Sequence, residues 1–222
     1  MKSVKEQKII IIGGNSGIGK ALAVSAEHLG YSVVTASRQT GLDMTDPDSL
    51  ISFFEQYAPF DHLVITAGSA APGGPFRDLA LQALQQGVTT KLWGTLTAVK
   101  TALDFINPHG SITLTSGVVA HKAVAGTSPK TLINAALEGV LKPLALELAP
   151  LRLNMISPGL TDTAAYQHLA PEARASLFDN AAAKHPLGRI ATAHDVAQGY
   201  LFAIENPSLT GASLHIDAGG KL

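Results

Sequence analysis

The chain has 222 residues, 46% of them hydrophobic, enough to bury most of its apolar surface in one domain without disulfide or metal staples. It has no cysteine, which excludes disulfides, thiolate metal sites and a cysteine nucleophile together. Sixteen basic against seventeen acidic residues leave a net charge of −1, so the electrostatic footprint of a nucleic-acid binder is missing.

No apolar run reaches the roughly 18 residues of a membrane span. The segment Met1–Lys8 is charged and lacks the apolar stretch and cleavage site of a signal peptide. A cytoplasmic protein with no membrane partner is the expectation. Only 15% of residues are charged and 21 are glycine, which suits a sheet packed closely between helices.

Short apolar runs alternate with longer helical stretches. Ile9–Ile12 is four isoleucines in a row, a strand buried on both faces. Residues 21–29 read as a helix ended by Gly30, residues 32–36 as a second strand, and residues 47–57 as a helix with Asp46 as cap and Pro47 at its first position. Residues 61–66 form the third strand, residues 79–105 a long helical stretch, and residues 111–115 a fourth strand. A helix over residues 129–148 follows, with Pro143 inside it. An interior proline costs about 3 kcal/mol or a kink, so a bend is expected there. A strand over residues 151–156, helices over 171–183 and 194–204, and a strand over 212–216 complete the order. Strand–helix alternation throughout predicts a doubly wound α/β domain, a parallel sheet in a three-layer α/β/α arrangement over residues 1–222.

The first strand runs into Gly13-Gly-Asn-Ser-Gly17-Ile-Gly19 and then a helix. Glycines permit the sharp turn and let backbone N–H groups approach a phosphate at the helix N-terminus. Gly14 to Lys20 matches most of a P-loop, but Ala21 stands where the magnesium-binding hydroxyl belongs. The alternative spacing, Gly13-x-x-x-Gly17-x-Gly19, is a dinucleotide turn. An NAD site would then place an acid at the end of the second strand for the ribose 2′-hydroxyl. This chain has Ser37-Arg38. A guanidinium pairs with a 2′-phosphate, which points to NADP(H).

These segments, in this order, resemble the short-chain dehydrogenase/reductase family nearly end to end. The resemblance rests on the glycine turn, on Leu42-Asp43-Met44-Thr45-Asp46, on Thr66-Ala67-Gly68, and on Ser157-Pro158-Gly159-Leu160-Thr161-Asp162-Thr163. C-terminal pieces at residues 185–190, 195–197 and 210–220 extend it. Ile12 stands where the family has Thr. The resemblance implies a Rossmann fold, an oxidoreductase and a homo-oligomer (dimer or tetramer) taking a small-molecule substrate. As cofactor contacts it implies Gly13, Asn15, Ser16, Gly17, Ile18, Ser37, Arg38, Asp43, Met44, Ala67, Gly68, Pro158, Gly159, Leu160, Thr161 and Thr163.

The family's proton-transfer positions are filled differently. Typical members use Tyr with a Lys four residues on, a Ser and an Asn, as general acid–base machinery beside the cofactor. Alignment puts Lys130 at the Tyr position, Asn134 at the Lys position, Gly117 beside Ser116 at the Ser position, and Lys91 at the Asn position. Lys91 and Ser116 are the candidate catalytic groups, Lys91 because a desolvated lysine titrates closer to neutrality. Lys130 in a first helical turn hints at an anionic neighbour, and Tyr166 offers a phenol or a pocket wall. The eight histidines show no metal-ligating spacing. Two functions stay open: an NADPH-dependent reductase of a small carbonyl substrate with an unusual proton donor, and a non-catalytic NADP(H)-binding sensor or partner subunit.

Overall fold

The computed structural model describes residues 3–68 and 71–222, the Lys5 side chain excepted. Its elements are β1 (Lys8–Ile12), α1 (Gly17–Leu29), β2 (Ser32–Ala36), α2 (Pro47–Tyr57), β3 (Phe60–Ile65), α3 (Leu81–Gly87), α4 (Gly94–Ala102), β4 (Ile106–Thr115), α5 (Ser128–Glu147), β5 (Arg152–Pro158), β6 (Thr161–Asp162), α6 (Pro171–Ala182), β7 (Ala191–Thr192), α7 (Ala193–Glu205) and β8 (Ser213–Ile216).

Six strands form one parallel sheet in the order β2-β1-β3-β4-β5-β8, and β6 pairs with β7 in a small parallel ladder. Side chains alternate across a strand, and the isoleucine run of β1 therefore feeds two cores. Ile10 and Ile12 pack with Phe54 of α2, Val99 of α4 and Leu137 of α5. Ile9 and Ile11 pack on the other face with Leu22 of α1 and Tyr200 of α7. The expected α/β/α layering of a Rossmann-type domain is the one found.

Local chemistry explains most element ends. Gly30 closes α1 with φ of 97°, a conformation glycine adopts without strain. The Asp46 carboxylate accepts the Asp48 N–H at 3.0 Å, capping α2 at Pro47.

Two expectations are refined. The long helical stretch over residues 79–105 divides into α3, a π-helical turn at Val88–Trp93, and α4. The glycines at its borders lie close against neighbouring residues: a Cβ at Gly87 would stand 2.8 Å from the Ala71 Cβ, and one at Gly94 3.3 Å from the Met44 Cβ. Widening the helix between two such contacts turns Lys91 inward, where it is buried, and π turns of this kind often mark functional sites. The second refinement concerns Pro143. Helix α5 continues through it from Ser128 to Glu147. Pro143 and Gly139 are both exposed, so water can satisfy the Gly139 carbonyl that the proline leaves without a donor.

Candidate active site

A cleft opens at the carboxyl ends of β1, β2 and β3, where strand order in such sheets leaves room for a ligand. Its walls include Gly13, Asn15, Ser16, Ser37, Arg38, Asp43, Met44, Ala67 and Gly68, nine of the residues expected from the sequence. Ile12, Gln39, Leu42, Thr45 and Thr90 also line it. The glycine turn is tight against its neighbours. Gly13 has φ of 93°, and a Cβ there would lie 2.6 Å from Thr66 Oγ1; one at Gly19 would lie 2.3 Å from the Gly13 carbonyl oxygen. Larger residues would push the turn off the end of β3.

Helix α1 begins at this cleft without a side-chain cap from Ser16 and with no acid in its first turn. Its N–H groups and dipole are thus left for an anion. Ser37 Oγ is buried without a hydrogen-bond partner at the cleft wall. A native structure seldom leaves such an atom orphaned, and a ligand oxygen would satisfy it. Arg38 is exposed beside it. Asp43 Oδ1 accepts from the Thr45 N–H at 2.8 Å and the Thr45 hydroxyl at 2.7 Å. These bonds, with the Arg38 charge as a smaller contribution, hold its carboxyl below the ordinary carboxylate range. The residues present fit a dinucleotide phosphate chain with an additional 2′-phosphate.

The remaining expected contacts lie outside the cleft walls. Gly17 and Ile18 open α1, and a Cβ at Gly17 would meet Thr163 at 3.4 Å. That approach brings the Pro158–Thr163 loop to the glycine turn. Pro158 ends β5, Gly159 packs so that a Cβ would come 2.7 Å from Asp217, and the half-buried Leu160 links it to β6. Thr161 donates to the Gly159 carbonyl at 3.0 Å, and Thr163 accepts from the Ala165 N–H at 3.4 Å.

Past β4, a buried polar cluster gathers the residues aligned to the proton-transfer positions. Lys91 Nζ donates to Asn134 Oδ1 at 2.8 Å and to the Ser116 carbonyl at 3.4 Å. Only 8% of Lys91 is exposed. Burial, with the Lys130 charge second, brings its ammonium down to about 8. A Cβ at Gly117 would stand 2.9 Å from Asn134 Nδ2, so the asparagine amide fills the space a side chain at 117 would need.

Ser116 is buried, and its hydroxyl donates to Glu138 Oε1 at 2.5 Å. Glu138 Oε2 lies 2.6 Å from His121 Nε2. Sequence spacing did not reveal this His–Glu pair, because the two residues come from the turn after β4 and from α5. The available signal was Asn134 and Glu138, four residues apart on one helix face. Lys130 is exposed, and its charge lowers the Lys91 ammonium pKa. Tyr166 is half-buried edge-on against Phe178, ring centroids 5.4 Å apart, and burial raises its phenol pKa; it reads as a wall. Tyr200 is wholly buried with its hydroxyl 2.5 Å from Thr115 Oγ1, and burial pushes its phenol up as well. Among the described residues no group of three His, Asp or Glu is placed to hold a metal, and no helix is long and apolar enough to cross a membrane.

A parallel sheet with a glycine turn and a cleft at the carboxyl ends of its central strands defines a nucleotide-binding α/β architecture. Residues 36–221 match the family described as enoyl-(acyl carrier protein) reductase. A short-chain dehydrogenase/reductase of Stachybotrys chlorohalonatus is 30% identical, with all of both chains covered. Carbonyl reductase family member 4 of Danio rerio is also 30% identical, over 96% of this chain and 97% of that one. A crystal structure of a small-chain dehydrogenase in complex with NADPH superposes with a TM-score of 0.93 at 43% identity, covering 97% of this chain and 98% of its own. The chain belongs to the short-chain dehydrogenase/reductase family and is an oxidoreductase of that type.

Proposed function

We propose that this chain is a cytoplasmic, single-domain NADPH-dependent oxidoreductase of a small carbonyl or alcohol substrate, with Lys91 and Ser116 at the proton-transfer position. The observation that carries the reading is the Lys91–Asn134 hydrogen bond of 2.8 Å. Relative to the family pattern, asparagine and lysine have exchanged places, and the exchange keeps one ammonium and one amide together in the buried cluster. Losing the tyrosine while keeping that charge fits an altered proton donor better than a derelict site.

NADPH would be held through its 2′-phosphate by Ser37 and Arg38 and through its pyrophosphate by the turn at Gly13–Gly17 and the open end of α1. Bound there, the cofactor supplies the hydride. Lys91, near 8, exchanges protons readily at neutral pH. The NADPH complex of the 43%-identical neighbour supports the choice of cofactor.

Helix α5 carries an exposed apolar stripe that includes Leu132 and Leu146. Such a face suits a second copy of the chain, and a homo-oligomer is part of the reading.

The test is direct. Fluorescence titration should give tighter binding of NADPH than NADH, and absorbance should follow NADPH oxidation across a panel of aliphatic and aromatic aldehydes and ketones. Turnover lost in Lys91→Met supports the reductase. Tight NADPH binding without turnover on any carbonyl points instead to a sensor or partner subunit.

A further inference from the structure

The buried cluster contains a line of hydrogen bonds that the reading above does not use. Ser116 Oγ, at the end of β4, is 2.5 Å from Glu138 Oε1, and Glu138 Oε2 is 2.6 Å from His121 Nε2. Exposure rises along the line: Ser116 is 4% exposed, the Glu138 side chain 13% and the His121 side chain 41%. A hydroxyl, a carboxyl and an imidazole therefore connect the interior to solvent in three short steps. Each of them can accept one proton while giving up another, and imidazole ordinarily titrates within the physiological range.

We propose that Ser116, Glu138 and His121 form a proton relay that recharges the reacting site from solvent, with Ser116 as the catalytic end and Glu138 and His121 as the residues that supply it. The proposal rests on the oxidoreductase reading above. Hydride delivery to a carbonyl carbon turns its oxygen into an alkoxide. That oxygen takes the Ser116 proton, while the His121 imidazolium protonates the Glu138 carboxylate at Oε2. The neutral carboxyl turns to give that proton to the Ser116 oxygen, returns to a carboxylate that again accepts the Ser116 hydroxyl, and His121 takes one proton from water. One proton enters from solvent and one leaves on the alcohol, Glu138 ends with the charge it began with, and NADPH is the only reductant.

The neighbours of the relay favour that direction. His215 on β8 packs edge-on against His121 with ring centroids 4.7 Å apart. Burial first, then the charges of Lys221 and His121, lower the His215 pKa, against the opposite pull of Glu138 and Asp217. The hydrogen bond to Glu138 is made by His121. A structural clamp fastening the turn after β4 onto α5 would need the same bonds but no proton movement, and the experiment separates the two.

Two measurements test the relay. In cofactor-free protein, NMR titration of the His121 imidazole should show its midpoint falling in Glu138→Gln, and shifting as well in Ser116→Ala although Ser116 does not touch the ring. A His121 midpoint unchanged in Ser116→Ala overturns the relay. In the assay, with 9,10-phenanthrenequinone and the aldehyde panel as probes, Glu138→Gln should slow kcat by roughly 10²-fold, within the range for general acid catalysis, with NADPH affinity unchanged. His121→Ala should be slowed too and recover with added imidazole, a rescue that no clamp would give. Wild-type turnover that Glu138→Gln leaves intact overturns the relay alone; absence of wild-type turnover on every probe overturns the reductase reading and the relay with it.

Discussion

In the proposed NADPH site, an exposed guanidinium beside a buried, unpartnered hydroxyl is the smallest unit that would separate the two nicotinamide cofactors. Arg38 and Ser37 stand at the end of β2 where an acid would grip a 2′-hydroxyl. Hydrogen bonds to charged groups contribute about 1.5–3 kcal/mol, so Arg38→Ala should weaken NADPH binding by roughly 10- to 100-fold and leave NADH binding nearly unchanged. Fluorescence titration of both cofactors checks it, and equal losses for the two would sink the 2′-phosphate assignment.

Lys91 makes a second prediction at the same scale. Its ammonium is held at about 8 against an ordinary 10.5, so between those values the unfolded chain binds a proton that the folded chain does not. Stability from this group must therefore rise with pH through that window. Denaturation midpoints measured from pH 8 to 10 should climb in the wild type relative to Lys91→Met, which lacks the group. A reduction step that depends on the Lys91 charge beside Ser116 runs the other way and should slow above about pH 8.

At the scale of elements, glycines in neighbouring helices serve opposite purposes. Gly139 of α5 is exposed, and a Cβ there meets nothing within 4 Å. Gly139→Ala should stabilise the protein by about 0.5–1 kcal/mol through helix propensity, read as a higher thermal midpoint. At Gly87 a Cβ would come 2.8 Å from Ala71. Gly87→Ala should lower the midpoint and disturb the π turn that faces Lys91 inward, so activity should fall further than stability alone explains. The sequence made the helical stretch over residues 79–105 legible but not its division. Widening a helix by one residue per turn leaves no period in the pattern, and only contacts such as Ala71 and Met44 reveal why the glycines stand where they do.

For the whole molecule, the two cores depend on one central strand. Phe54 is fully buried in the layer that holds α2, α4 and α5. Phe54→Ala should cost about 3–5 kcal/mol, measured by denaturant unfolding. On the outside, the Leu132 and Leu146 stripe predicts a multimer by light scattering, with Leu146→Glu shifting the population toward monomer. A wild-type monomer would remove the oligomer from the proposed function.

The sequence by itself determined the layering, because an isoleucine run buried on both faces and regular strand–helix alternation admit few arrangements. It also pointed to the cleft at the carboxyl ends of β1, β2 and β3, because a glycine turn and the residues ending β2 are contiguous in the chain and carry their geometry locally. It raised the proposed departure at residues 91, 117, 130 and 134, each read as a single substitution against a family pattern. Only the tertiary structure decided what those substitutions amount to. Lys91 and Asn134 lie 43 residues apart and meet at 2.8 Å, and His121 reaches Glu138 across 17 residues. Such pairs are set by how β4, the π turn and α5 pack, and packing at ångström precision is a property of the whole core, which no local spacing encodes.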